Sequence, residues 1–315
     1  MAIDPSLPRD RPLAYLSGQW LPAEQAAIPL SDAGFVLGTT VTERLRTFRG
    51  KLFRLPHHLV RLEHSLRIVG VEPHESSADL AECASELAAH NYALLPDGTD
   101  LGLSILITPG GYSAAGGVSE RRPLVCLHTD SLPFRNWASA YESGVSLVIT
   151  DIMQVPASCW PPELKCRSRM HYYLADRAAE MKQPGAKALL LNERGEVAET
   201  SIANIIALRK DEGLVTPPKN DVLPGITLGV VEELARNLGV PFHYRVMRLE
   251  DLLTAEEVLL ASTPWCLLPV HALDGQTFSA KAPGPIFKKL LAAFNHEAGL
   301  QIAQQAKEMS QEIVG

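Results

Sequence analysis

Long apolar runs are missing from this 315-residue chain. The longest uncharged apolar stretch, Val258 to Val270, carries Pro264 and Pro269 and is too short to cross a bilayer, so no membrane association is expected. Residues Met1 to Arg11 are polar and proline-rich with no apolar signal core, which reads as a protein that is not exported. Cysteine is scarce as well. Cys83, Cys126, Cys159, Cys166 and Cys266 form an odd, scattered set with no CxxC pair, which favours reduced thiols in the cytoplasm over a disulfide framework. None of the ten histidines stands in an HExxH arrangement, so no metal is assigned. Basic residues are not massed: 29 Lys and Arg are interleaved with 36 Asp and Glu, for a net charge of −7, and nucleic-acid binding is set aside. Internal repeats and low-complexity segments are absent too.

What is present is an ordinary globular composition, 46% hydrophobic and 21% charged, in a chain long enough for one large or two ordinary domains. Short strands are expected at Leu13–Leu16 and Val41–Phe48, with Lys51–Leu55 as a return strand. Leu59, Leu62, Leu66 and Val69 share one face of a helix starting near Pro56, and an alanine-rich helix covers about 78–94. Strands follow at Leu101–Thr108 and Leu124–His128, separated by a glycine-rich loop. This alternation predicts an α/β fold with α+β character. Periodicity lapses near 129–143, which divides the chain into a smaller N-terminal domain (1–130), a linker (131–143) and a larger C-terminal domain (144–315). The second domain is expected to hold a helix over 168–181, antiparallel strands within 187–208, a helix after Pro224-Gly225, a strand at Glu257–Thr263 and a terminal helix from about Pro285.

Several residues can carry chemistry, each with a plainer alternative. Lys165, in a mainly apolar, proline-bearing segment, would have its charged form disfavoured by desolvation and so be able to attack an aldehyde; on position alone the plainer reading, a surface lysine at a helix start, is the more common one. Leu223-Pro224-Gly225-Ile226-Thr227 opens an amphipathic helix whose free N–H groups and Thr227 hydroxyl suit a phosphate, or is simply a turn. Thr263, at a strand end, could add a hydroxyl, and Arg54 could clamp phosphate through a bidentate fork. His57 and His58 are read as capping or packing the following helix. Glu199 could hold a heterocyclic ring nitrogen in its protonated form, or be an acidic residue on an exposed strand face.

The order and spacing of these residues resemble the fold-type-IV, or class IV, pyridoxal 5'-phosphate (PLP) enzymes: branched-chain aminotransferases, D-amino acid aminotransferases and aminodeoxychorismate lyases. The resemblance runs from Gly18-Gln19-Trp20 and Ser31-Asp32-Ala33-Gly34-Phe35 through Thr42–Phe48 and Leu52–Leu62 to Lys165, Glu196–Ile205, Thr216-Pro217, Leu223–Thr227 and Ser262-Thr263. It implies a two-domain PLP transaminase that moves an amino group from an amino acid, branched-chain-like, to a 2-keto acid by a ping-pong mechanism. Lys165 would be the Schiff-base lysine and the acid–base group; Glu199 would partner the pyridine nitrogen; Arg54, Ile226, Thr227 and Thr263 would hold the phosphate. Asn204 would support the site. The family also implies a homodimer.

Departures fall where the substrate should be read. Leu103–Thr108 lacks the Arg-Pro of branched-chain enzymes, no arginine–histidine pair follows Gly110-Gly111, Leu228 replaces an arginine, and Thr42 replaces an aromatic before Glu43. Arg46, Arg167 and Arg169 are the candidate replacements for carboxylate recognition. Alternatives consistent with the same residues are an aminodeoxychorismate lyase-like enzyme, a D-amino acid or amine transaminase, and an inactive PLP-binding relative.

Overall fold

The computed structural model describes residues 3–4, 6–112, 122–278 and 282–311. Most of the glycine-rich loop expected after Thr108 lies outside the described residues. Two compact units divide the chain: Met1–Leu132 with Leu164–Ser168, and Pro133–Glu163 with Arg169–Gly315.

In the first unit the elements are β1 (Leu13–Leu16), β2 (Gln19–Pro22), α1 (Ala33–Val36), β3 (Val41–Phe48), β4 (Lys51–Leu52), α2 (Leu55–Val69), α3 (Ser77–Tyr92), β5 (Leu101–Thr108) and β6 (Leu124–Ser131). The strands form one antiparallel sheet in the order β2-β1-β6-β5-β3-β4. Strand alternation sends Val41, Leu45, Leu103, Ile105 and Leu127 to one face, where they pack with Leu59, Leu62 and Leu66 of α2 and Leu80 and Leu87 of α3. Helix α3 starts on a capping box between Ser76 and Asp79. Helix α2 starts on Arg54 and ends on Gly70, whose φ of 71° is the left-handed stop that glycine accepts at low cost. Arg54 itself departs from the expected strand. Strand β4 ends at Leu52, and Arg54 has φ 53°, a left-handed conformation that an L side chain adopts only under strain.

Residues 164–168 belong to this unit through backbone pairing. The Thr42 N–H donates to the Lys165 carbonyl (3.0 Å), the Arg167 N–H to the Thr40 carbonyl (2.8 Å), and Val41 bridges Cys166 antiparallel. The Lys165 N–H donates to the Ser65 hydroxyl of α2 (3.1 Å), and Leu164 packs on the apolar core. Lys165 was expected within the domain spanning 144–315; the structure places it on the sheet of the first unit because its short segment completes the edge of β3.

The second unit holds α4 (Ala140–Ser143), β7 (Val145–Ile149), α5 (Met170–Lys182), β8 (Lys187–Leu191), β9 (Val197–Thr200), β10 (Asn204–Arg209), β11 (Gly213–Thr216), α6 (Ile226–Asn237), β12 (Phe242–Tyr244), α7 (Leu249–Leu253), β13 (Glu257–Ser262), β14 (Cys266–Leu273), β15 (Gln276–Thr277), α8 (Pro285–Ala298) and α9 (Ile302–Gln311). The sheet runs β12-β11-β10-β13-β14-β7-β8-β9, and β9 pairs back onto β10 through Glu199 and Asn204, so six of its strands form a closed circuit. Helix α5 lays Ala175 and Ala179 on Val148, Ala188 and Leu190. The segment expected as a linker instead buries Phe134, Trp137 and Tyr141, and the Tyr141 hydroxyl donates to the Trp265 carbonyl (2.6 Å). Among the described residues, no helix is long and apolar enough to cross a membrane.

Candidate active site

Glu199 lies on β9, 5% exposed. Such a carboxylate is stable only if hydrogen-bonded. Here the Tyr172 hydroxyl (2.7 Å) and Gln154 Nε2 (2.8 Å) donate to its Oε1, and Asn204 Nδ2 (3.3 Å) donates to its Oε2. Burial first, and then the neighbouring Glu199 charge, push the Tyr172 phenol well above its ordinary value, so it remains a donor. Arg169 braces this arrangement: its guanidinium lies 4.7 Å from the Tyr172 ring centroid and donates to the Ser201 carbonyl. These three neutral donors orient Glu199 without cancelling its charge, which suits a protonated ring nitrogen.

Asn204 extends the arrangement. The same Nδ2 donates to the Leu223 carbonyl (2.9 Å), tying the carboxylate to the turn that opens α6. Gly225 is the N-cap there, and no side chain caps the first helical N–H groups. Any Cβ at Gly225 would collide with Asn204 Oδ1, so only glycine fits. The helix start therefore presents the N–H groups of Ile226 and Thr227, with Thr227 buried beside them, as a cradle for an anion. Thr263 sits in the turn between β13 and β14, two residues beyond Ala261, the cross-strand partner of Asn204. This donor set fits a ring that carries a basic nitrogen and a phosphate.

Lys165 and Arg54 lie in the first unit. Lys165 is half-buried on the segment paired with β3. By the alternation of an antiparallel pair, it shares a sheet face with Thr42, its cross-strand neighbour. Arg54 is half-buried at the start of α2, its guanidinium 5.7 Å from the Phe53 ring centroid. Behind β3, Glu43 is fully buried. His58 Nδ1 lies 2.7 Å from Glu43 Oε2, and Arg61 grips both oxygens from Nε (2.8 Å) and Nη2 (2.9 Å). Burial alone would push the Glu43 carboxyl up; the adjacent Arg61 charge and the bonds from Arg61 and His58 outweigh it and hold the carboxyl well below the usual range. For His58, burial lowers the pKa, Glu43 opposes that, and the charges of Arg61 and Lys165 lower it further. His58, expected as a packing residue, is thus part of a buried ionic cluster.

The residues singled out from sequence fall into two groups, Glu199, Ile226, Thr227 and Thr263 in the second unit and Lys165 and Arg54 in the first. Tyr172 and Gln154 were not singled out. Tyr172 lies in the first turn of α5 and Gln154 in an irregular stretch, and neither position carries a periodic or spacing signal. Of the three arginines considered for carboxylate recognition, Arg169 braces Tyr172, Arg46 is 1% exposed, and Arg167 lies exposed beside Lys165.

Comparison with known proteins gives a consistent picture. The family described as amino-transferase class IV matches residues 40–273. A D-alanine aminotransferase from Bacillus licheniformis is 27% identical over 286 residues, covering 89% of this chain and 95% of that one. A putative branched-chain-amino-acid aminotransferase from Methanocaldococcus jannaschii is 26% identical over 285 residues, covering 89% of this chain and 94% of that protein. Among solved structures, the branched-chain amino acid aminotransferase of Escherichia coli matches with a TM-score of 0.82 at 23% identity, over 91% of this chain and 94% of that one.

Proposed function

The chain belongs to the class IV aminotransferase family, which makes it a PLP-dependent transaminase, and from that premise we propose that Lys165, Arg54, Glu199, Ile226, Thr227 and Thr263 are the residues that hold and use the cofactor. The observation that carries this assignment is the bridge through Asn204, which fixes a buried carboxylate and an uncapped helix start in one rigid piece. When bound, the cofactor supplies an electron-withdrawing pyridinium that acidifies the substrate Cα–H. Glu199 pairs with the ring nitrogen, oriented by Tyr172, Gln154 and Asn204. The N–H groups of Ile226 and Thr227 receive the phosphate, with the Thr227 and Thr263 hydroxyls and the Arg54 fork adding donors. Lys165 would hold the cofactor through its amine, and the same amine would take the proton from the substrate Cα and return it as a general acid.

The proposed donor is an amino acid with a branched-chain-like side chain, and the acceptor a 2-keto acid; the likeness to the Methanocaldococcus jannaschii protein supports this. The likeness to a D-alanine aminotransferase favours a second reading, a D-amino acid donor. Reducing the holoenzyme with borohydride and mapping the label tests the assignment, followed by assay of L- and D-amino acid panels. Label on Lys165 and amino transfer from one panel are expected; label on any other lysine sinks the assignment.

We also propose a cytoplasmic homodimer. Five unbridged cysteines support the compartment. An exposed apolar segment around α1, with Leu30 79% and Phe35 69% exposed, supports self-association. Light scattering should give a particle of two chains, and a monomer at micromolar concentration removes the dimer.

A further inference from the structure

The sheet of the first unit has a second face, and it is not apolar. Thr42, Arg44 and Arg46 of β3 lie on it, opposite the face that carries Val41 and Leu45. Their cross-strand partners extend it: Arg44 pairs with Ser104, which pairs with His128, and Arg46 pairs with Gly102, which pairs with Asp130. At the free edge of β3, Lys165 and Arg167 share this face, since they pair with Thr42 and Thr40. Among the described residues, four cationic side chains, those of Arg44, Arg46, Lys165 and Arg167, thus stand on this face with the carboxylate of Asp130, and the buried Asp32 carboxylate accepts from the Thr108 hydroxyl (2.8 Å) at its other end.

Two features point to a ligand. The Thr42 hydroxyl is buried and finds no hydrogen-bond partner among the described residues, which is costly unless a bound group completes it. The second is the way Arg44 is held. Its Nη1 donates to Ser104 Oγ (2.9 Å) and to Asp130 Oδ1, and its Nη2 donates to Asp130 Oδ2 (2.6 Å). Gly102 lies beneath the guanidinium, and a Cβ there would collide with its Nη2 and Cζ. Pinned in this way, Arg44 has used three of its five N–H donors among the described residues. The remaining two, on Nε and Nη2, share the edge that matches a carboxylate in bidentate fashion. Burial makes the His128 imidazole hard to protonate, with Asp130 opposing and the Arg44 and Arg167 charges assisting, so it adds a neutral donor or acceptor beside them.

Resting on the transaminase reading above, we propose that Arg44 is a substrate-recognition residue, its Nε–Nη2 edge binding a carboxylate of the amino or keto acid whose reacting carbon lies at the Lys165 amine. Thr42, paired with Lys165, and Arg44 are two residues apart on one face of β3, about 7 Å along the strand. That separation suits an α-carboxylate, which every amino acid and 2-keto acid carries; a side-chain carboxylate offers the same chemistry. Arg44 therefore supplies what β5 lacks, and Asp130 and Ser104 are positioning residues that set its angle.

The test uses the holoenzyme after borohydride labelling has located the cofactor on Lys165. Arg44→Gln, Arg44→Lys and Thr42→Val are compared with the unaltered protein in KM, kcat and calorimetric affinity for isovalerate and glutarate, two carboxylates without an amino group. Arg44→Gln should raise KM and weaken both acids roughly 10- to 100-fold, with kcat changed far less. Arg44→Lys should recover only part of the loss, because an ammonium lacks the fork. Weakening of both acids assigns Arg44 to the α-carboxylate, and weakening of glutarate alone assigns it to a side-chain carboxylate. Thr42→Val, which leaves Arg44 in place, should weaken both acids several-fold and covers the case in which the Arg44 variants fail to fold. Unchanged affinity for both acids in every folded variant, with amino transfer and the Lys165 label intact, overturns the proposal while the transaminase reading stands. Absence of the label from the unaltered protein overturns both.

Discussion

Three donors to Glu199, from Tyr172, Gln154 and Asn204, carry no charge of their own, and the Tyr172 contact is the shortest of the three at 2.7 Å. A neutral donor leaves the carboxylate its full charge, whereas a cation in the same place would compete with a ring nitrogen. Tyr172→Phe removes one hydrogen bond to a charged, buried acceptor while keeping the ring that Arg169 covers. Hydrogen bonds to charged groups are worth about 1.5–3 kcal/mol, so the variant should lose stability of that order in urea unfolding. In a Glu199→Gln background the same change should cost measurably less, because the acceptor is then neutral. Equal costs in both backgrounds would mean that the phenol packs there without serving the carboxylate.

At the scale of elements, much of the fold was legible. Strands β3 and β5 lie where the alternation placed them, and α2, α3, α6 and α8 start within a residue or two of the expected positions. These are long segments with one apolar face, and a single period dominates each. Illegible elements have a physical reason for their silence. Strand β14 contains Pro269, which a sequence reader takes as an interruption, yet it pairs with Leu259 of β13. The aromatic residues Phe134, Trp137 and Tyr141 lie too far apart, in too polar a stretch, to outweigh a neighbouring proline. Arg54 was expected on a strand because Leu52, Phe53 and Leu55 surround it, and local composition does not report a positive φ. The proposed site residues divide in the same way. Glu199 and the Pro224-Gly225 turn stand out because their neighbours form a recognisable string. Tyr172, Gln154 and Arg44 are held by contacts between segments distant in sequence, which no local string announces. Glu257 shows the same limit: a buried strand carboxylate accepts from the N–H groups of Ile286 (2.7 Å) and Phe287 (2.8 Å) and so caps α8. Pro285 announces that helix, but nothing near it in the chain announces the cap.

Across the whole molecule, several buried groups resist protonation, and that sets how stability must vary with pH. His58, His128 and His171 all have pKa values lowered from the ordinary 6.5, each chiefly by burial, His171 to about 4. The Glu43 carboxyl is held below its ordinary 4.5 by Arg61 and His58, against the effect of its own burial. In each case the folded-state pKa lies below the unfolded one. Their stabilising contribution is therefore complete above the unfolded value and is lost as pH falls toward the folded value, because the unfolded chain then binds protons that the native one refuses. The histidines act first, below about pH 6.5, and Glu43 follows below about pH 4.5. Unfolding free energy should thus fall between about pH 6.5 and 5, before most carboxylates titrate. For a fully buried neutral histidine such as His58 the slope reaches at most about 1.4 kcal/mol per pH unit. His58→Gln keeps a donor toward Glu43 but takes up no proton, so its melting temperature should depend less steeply on pH over that interval. Identical slopes for the variant and the unaltered protein would mean that His58 has the same pKa folded and unfolded, and a steeper fall in the variant would mean that His58 is charged in the native state as the imidazolium partner of Glu43.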